Sequence, residues 1–155
     1  MTADLSLAHD AQNIVVAEAR RWLGTPYRHQ ASLRGVGCDC LGLLRGVWRA
    51  AIGREPEAPP AYTPDWSEPG CDERLLAAAR RPLAPAETGA PAPGDVLVFR
   101  MRRSAPAKHL GIVSAGGRMI HAHSRHGVVE TALDRAWLRR LAARFRFPVC
   151  VAKRG

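Results

Sequence analysis

The sequence predicts an α+β domain in which N-terminal helices pack on an antiparallel β-sheet supplied by the second half of the chain. Two observations carry this. Before residue 53, apolar residues recur at three- and four-residue steps in two segments, the period of helices with one buried face. From Asp95 onward the pattern changes to short apolar runs separated by glycine or polar turns, which reads as consecutive strands joined as a meander. Helices grouped first and strands afterwards define the class. A chain of 155 residues suits one domain, residues 1–155, with one moderate core.

Taken in order, Val15, Ala19, Trp22 and Leu23 mark the apolar face of a helix from about Asp10 to Leu23, ended by Gly24 and Pro26. Gly24-Thr25-Pro26-Tyr27 then fixes a turn, and Tyr27 presents a ring and a hydroxyl ahead of the polar trio Arg28-His29-Gln30. A second helix starts at Cys40 and runs to Gly53, with Leu41, Leu44, Val47, Trp48, Ala51 and Ile52 on one side. Between 54 and 70, Pro56, Pro59, Pro60, Pro64 and Pro69 forbid regular helix and predict an ordered extended loop, which Tyr62 and Trp66 either anchor or open to a cleft. Asp72 opens a short helix through Arg80, and Pro82, Pro85, Pro91 and Pro93 make a second loop that turns at Gly94. Strands are expected at 95–101, 109–114, 118–123 (after a turn at Gly116-Gly117) and 127–131, then a short helix at 134–141 and a last strand at 145–151.

The formal charge of +9, from 23 Lys and Arg against 14 acids, favours polyanionic surroundings, whether nucleic acid, anionic lipid or acidic cell-wall polymer. The arginines are scattered and aromatics are only 6% of the chain, so a solvated basic face is the default reading and no nucleic-acid motif supports a nucleic-acid partner. Cys38, Cys40, Cys71 and Cys150 are too few and too irregular for a disulfide framework, and Cys38 and Cys40 are too close for an easy mutual bridge. No apolar run approaches the roughly 20 residues that span a bilayer, and the N-terminus lacks the basic patch and apolar core of a signal peptide. Synthesis in the cytoplasm, with no membrane insertion, is the expectation.

The stretch Gly37 to Leu43, GCDCLGL, organises the chemistry. Cys40 follows the carboxylate of Asp39 at the start of a helix, where unpaired amides and the helix dipole favour a thiolate and can hold a developing oxyanion. A small buried cysteine is the commoner fate of the residue. A nucleophilic Cys40 needs a base, and imidazole is the usual one. His9 lies near a chain end and His126 in a turn, whereas His109 opens a strand of small and apolar residues where it can face the Cys40 helix. His121 and His123 alternate with Ile120 and Ala122 and share a face of the next strand. A plain two-residue hairpin at Gly116-Gly117 would set His109 and His121 on opposite faces. A three-residue turn with a glycine bulge sets His109, His121 and His123 on one face, so the catalytic reading predicts a bulge, with either His121 or His123 orienting His109.

The ordered motifs LGTPY, DC-x-GL, PGD followed by apolar residues and Phe99, H-x-GI, and MIHA resemble the NlpC-type cysteine peptidases of bacterial cell walls, from about Ala19 to Ala122. The resemblance implies a papain-like core and cleavage between γ-D-glutamate and a diamino acid, meso-diaminopimelate, in peptidoglycan stem peptides. It matches Cys40 to the nucleophile, His109 to the base, His121 to the third polar residue and Tyr27 to a tyrosine beside the site. Tyr27 and Asp39 are expected to contact substrate, and no cofactor or metal is required. Leu41 replaces the family's usual serine, and Arg28-His29-Gln30 a frequent glycine pair, which bears on substrate contacts more than on chemistry. The HQAS and CDCLGL wording, together with the missing signal peptide and the single domain, resembles the branch carried by phage tails and gene transfer agent particles. That implies phage-like tail proteins as partners and action on the periplasmic face of the wall.

Three rivals stand beside this reading. The Cys38-x-Cys40 and His121-x-His123 pairs offer four zinc ligands, but at tighter spacing than paired zinc ligands usually show. A non-enzymatic basic or structural tail module is the second. The third keeps the Cys-His site and changes the reaction to acyl transfer or to hydrolysis of another amide.

Overall fold

A computed structural model describes residues 2–55, 73–86 and 89–148. Helix α1 (Thr2–Arg21) buries Val15 and Ala19, and Trp22 is buried just beyond its end, whereas Leu23, expected on the same face, is exposed because the helix has already given way to a turn. A short hairpin of two-residue strands, β1 (Ser32–Leu33) and β2 (Gly37–Cys38), leads into α2 (Cys40–Ala51). Leu41, Leu44, Val47, Trp48 and Ala51 of α2 are all buried, as the three- and four-residue spacing requires. Helix α3 (Arg74–Arg80) and β3 (Ala84–Pro85) precede the main strands β4 (Val96–Phe99), β5 (His109–Ala115), β6 (Arg118–His123) and β7 (Gly127–Ala132). Helix α4 (Arg135–Arg139) and β8 (Leu141–Arg146) close the described chain.

The six strands form one antiparallel sheet in the order β3-β8-β4-β5-β6-β7. Period-two alternation divides its side chains between two cores. Val96, Val98, Leu110, Ile112, Ile120 and Ala122 pack with α1, α2 and α3 in the larger cluster. Leu97, Phe99, Val113 and Met119 form the smaller one on the other face, covered by Leu133, Trp137 and Leu141. Helices α1, α2 and α3 on one face of an antiparallel sheet, with the short helix of Trp137 on the other, are the α+β arrangement that the sequence predicts.

Several boundaries differ from expectation. The last strand occupies 141–146 rather than 145–151, because α4 ends after five residues and the chain pairs at once with β4, Phe99 opposite Leu141 and Val96 opposite Phe145. Its first four residues are only half-buried, so they lack the continuous apolar run that marks β4. The strand read as 95–101 occupies 96–99; Asp95 precedes it, its carbonyl accepting from the Val113 amide at 2.9 Å and its carboxylate from the Ala92 amide at 2.9 Å and from Arg146 at 2.9 Å. The proline-rich segment with Tyr62 and Trp66, along with Asp72, Cys71 and Cys150, lies outside the described residues. Among the described residues no helix is long and apolar enough to cross a membrane.

Candidate active site

The relative placement of the histidines is decided at the turn between β5 and β6. Gly116 and Gly117 make a two-residue turn, with Gly117 at φ +71°, a left-handed conformation that favours glycine. Ala115 pairs with Arg118, but Val113 pairs with Met119, so Ser114 is an extra residue on β5. The predicted bulge therefore exists, on the strand beside the turn rather than within a three-residue loop. Beyond it Ile112 faces Ile120, and extending this register brings His109, His121 and His123 to one face. The Ser114 side chain is buried and its hydroxyl donates to Glu130 of β7, which also pairs with Arg20 at 2.8 Å.

That shared face is the one opposite the helices. Leu110 and Ile112 point into the helical core, so alternation turns His109 the other way, onto Phe99 and Trp137. His109, expected to face the Cys40 helix, shares a cleft with Cys40 and Leu41 at the corner where α2 begins rather than packing among the helices. There the Cys40 sulfur lies 3.8 Å from the carbonyl oxygen of Lys108, the residue before His109. An open cleft of about 580 Å³ is lined by Cys40, His109 and His121 together with Tyr27, Asp39 and Trp137.

Nε2 of His109 and Nδ1 of His121 are 2.8 Å apart, and Nε2 of His121 is 3.0 Å from Oγ1 of Thr131. His123, the alternative orienting residue, instead accepts at Nδ1 from the Arg125 amide at 3.1 Å and stacks on His126. The indole of Trp137 stacks on His109 with centroids 5.4 Å apart and meets His121 edge-on at the same distance, covering the bond between the two imidazoles. Neither Thr131 nor Trp137 is singled out by the sequence. Thr131 follows from the β6–β7 register, and Trp137 carries no local motif.

Asp39 is the N-cap of α2. Oδ1 accepts from the Gly42 amide at 2.7 Å, and Oδ2 from the Gln30 amide at 2.8 Å. Gly42 is required here, since a Cβ would stand 1.8 Å from the carbonyl oxygen of Ala31. The carboxylate expected to contact substrate thus also holds the loop from Gln30 against the first turn of α2. Tyr27, bridged to Cys38, is half exposed at the rim, and burial followed by the neighbouring Cys40 and Asp39 charges pushes its phenol up to about 12.

The same environment overturns the expected acidity of Cys40. The amides of Leu110, Leu41 and Cys40 do pull the thiol pKa down, but burial, followed by the Asp39 charge, outweighs them and pushes it up to about 12. His109 is driven down to about 3 by burial, then by His121, His123 and Lys108, and His121 to about 4 by burial, then His123. Burial thus opposes charge on the thiol and on both imidazoles alike. Alkylation of Cys40 by iodoacetamide should consequently climb with pH from neutrality upward, about tenfold per unit while thiolate is scarce. Peptide mapping separates it from Cys38, which is also buried and raised. A rate plateau reached by pH 6 would show an ion pair instead.

Cys38 and Cys40 are free thiols, and among the described residues no three His, Cys, Asp or Glu side chains converge as a metal-holding group.

Residues 24–146 match the model of the NlpC/P60 family. The chain is 30% identical over 123 residues to the gamma-DL-glutamyl hydrolase of Bacillus subtilis (strain 168), covering 77% of this chain and 25% of the relative, so it spans about a quarter of that protein's length. Among solved structures, an NlpC/P60 family protein from Bacillus cereus ATCC 10987 superposes with a TM-score of 0.63 at 18% identity, over 88% of this chain and 40% of that one. The NlpC/p60 domain of the peptidoglycan hydrolase SagA superposes with a TM-score of 0.59 at 22% identity, over 88% of this chain and 98% of that one.

Proposed function

The chain belongs to the NlpC/P60 family, and on that premise we propose that it is a peptidoglycan hydrolase, a cysteine endopeptidase that cuts stem peptides between γ-D-glutamate and meso-diaminopimelate. The observation that carries the reading is the convergence of Cys40 with the bonded pair His109–His121 in one open cleft. The similarity to a gamma-DL-glutamyl hydrolase supports a γ-glutamyl bond as the one attacked.

In this mechanism Sγ of Cys40 attacks the γ-carbonyl carbon as the thiol proton passes to Nδ1 of His109, the nitrogen that His121 leaves unoccupied. The amides of Cys40 and Leu41 at the open end of α2 are the donors available to the oxyanion. His109 then delivers its proton to the leaving amine of the diamino acid as the carbon–nitrogen bond breaks. A water, deprotonated by His109, hydrolyses the thioester and regenerates the thiol. Burial disfavours separated charges on thiol and imidazole, which favours proton transfer in step with attack. Tyr27 and Asp39 line the cleft as substrate contacts, and Lys108 and His29 give it a basic rim suited to stem-peptide carboxylates.

Product analysis by mass spectrometry tests this. Purified diaminopimelate-type wall fragments should yield peptides ending in γ-D-glutamate, and intact fragments after incubation would refute the reading. The HQAS and CDCLGL wording supports delivery to the periplasmic wall by a phage-like tail, which peptide mass spectrometry of purified particles checks.

A further inference from the structure

Arginines that are scattered along the sequence are gathered by the fold beside the cleft. The β4–β5 connector and α4 meet where the Arg100 amide donates to the Arg140 carbonyl at 2.8 Å. Arg102 and Arg103 follow in a turn closed by the Ala105 amide on the Arg102 carbonyl, and Arg135, Arg139 and Arg140 belong to α4 and its C-cap. All five residues are exposed, as is Lys108 at the end of the connector. Trp137 of the same helix stacks on His109 and lines the cleft with Met101 and Lys108, so this basic surface begins at the edge of the active site.

Its charge is unbalanced. Elsewhere arginines share carboxylates: Arg20 and Arg118 on Glu130, Arg45 and Arg49 on Glu55, Arg144 and Arg146 on Asp95. None of the six cations here has a carboxylate partner among the described residues. The acids at hand are committed, Glu73 to Arg100 and the Ala107 amide, and Asp134 to the Trp137 amide as the cap of α4. Like charges held side by side oppose folding by mutual repulsion, which a bound polyanion relieves.

The chemistry of the surface selects among polyanions. Five of the six cations are arginines, whose planar forks take phosphate oxygens two at a time. The neighbouring pairs Arg102–Arg103 and Arg139–Arg140 suit charges repeated at short intervals along a backbone. A bilayer fits poorly: Leu138 is the one large apolar residue exposed in this region among the described residues, too little to anchor in lipid, and a flat surface seated here would cover the cleft. Nucleic acid also fits poorly, because Trp137, the aromatic ring at this edge, is engaged by His109, His121 and Phe99 rather than offered to bases.

We infer that Arg102, Arg103, Arg135, Arg139 and Arg140, with Lys108 at their inner edge, form a docking surface for a linear phosphodiester polymer of the cell wall, which holds the cleft beside the stem peptides. The wall as the source of the polymer rests on the proposed function, whereas the charge argument stands apart from it.

The test is fluorescence anisotropy of labelled poly(glycerol phosphate) with the full chain across a salt series. Wild type should bind, with affinity falling steeply as salt rises. Arg102→Gln/Arg103→Gln/Arg139→Gln should lose about tenfold or more in affinity at low salt and show a shallower salt dependence. Arg21→Gln/Arg34→Gln/Arg54→Gln removes the same charge from exposed positions on α1, in the β1–β2 turn and after α2, and should lose less than about threefold. Absence of wild-type binding, or equal losses in the two variants, would overturn the proposal. So would single-stranded DNA or phosphatidylglycerol vesicles bound about tenfold more tightly than the polymer at matched phosphate. Arg103→Gln/Arg139→Gln replaces the first variant if circular dichroism shows it unfolded. Binding is read without hydrolysis, so inactivity on wall fragments would refute the peptidase and leave this comparison decisive for the docking surface.

Discussion

Cys40→Ala is expected to leave no measurable stem-peptide hydrolysis, a fall of at least about 10⁴-fold in kcat/KM. The neighbouring thiol cannot replace the sulfur: Cys38 is fully buried and does not line the cleft. The loss should not come from unfolding. Cys40 sits at the first position of α2, whose N-cap is Asp39, and truncation removes one sulfur atom at a cost of about 1 kcal/mol or less. Cys40→Ser should be almost as inactive, since an alcohol is a far weaker nucleophile than a thiol. His109→Ala should fall nearly as far, and the double variant no further, because nucleophile and base act as a unit. Initial rates with matched circular dichroism check all three, and a double variant clearly below both single variants would show that the two residues act separately.

Deleting Ser114 is expected to abolish activity as completely as removing His109. Ser114 is the residue that shifts the β5–β6 register by one. Without it, His109 either turns to the helical face, sending Leu110 and Ile112 out of the larger core, or keeps its face only if the turn is rebuilt. The first outcome also lowers the melting temperature. Ser114→Ala is the control: it preserves the residue count and hence the register, and removes only the hydroxyl bond to Glu130, at about 1 kcal/mol of stability with activity within a few-fold of wild type. Steady-state rates and thermal melts on both variants decide it, and a deletion variant with normal activity would show that the bulge does not set the histidine geometry.

The parts of this account legible in the sequence are those fixed by short-range pattern. Leu41 to Ala51 repeat at helical spacing and are buried as expected, and the glycine turns at 116–117 and 127 set β5, β6 and β7 within a residue of their positions. The need for a bulge was also legible, because side-chain alternation leaves no other way to bring His109 and His121 together. Its location at Ser114 was not, since a bulge on the strand and one in the turn give the same parity. The choice between His121 and His123 required the register, which sets His121 beside His109 and leaves His123 to Arg125. Thr131 was hidden for the same reason, ten residues along the chain but one strand away. The acidity of Cys40 misled because the helix N-terminus is visible in sequence as a single favourable effect, whereas burial and the Asp39 charge act only once the corner is folded.

The most direct measurement of the central claim is intact-protein mass spectrometry of an acid-quenched mixture of the protein with a stem peptide. Attack by Cys40 on the γ-carbonyl predicts a transient acyl-enzyme whose added mass equals the portion ending in γ-D-glutamate, mapped to Cys40 and absent from Cys40→Ala. Hydrolysis that proceeds with the adduct on another residue, or equally well in Cys40→Ala, would contradict it.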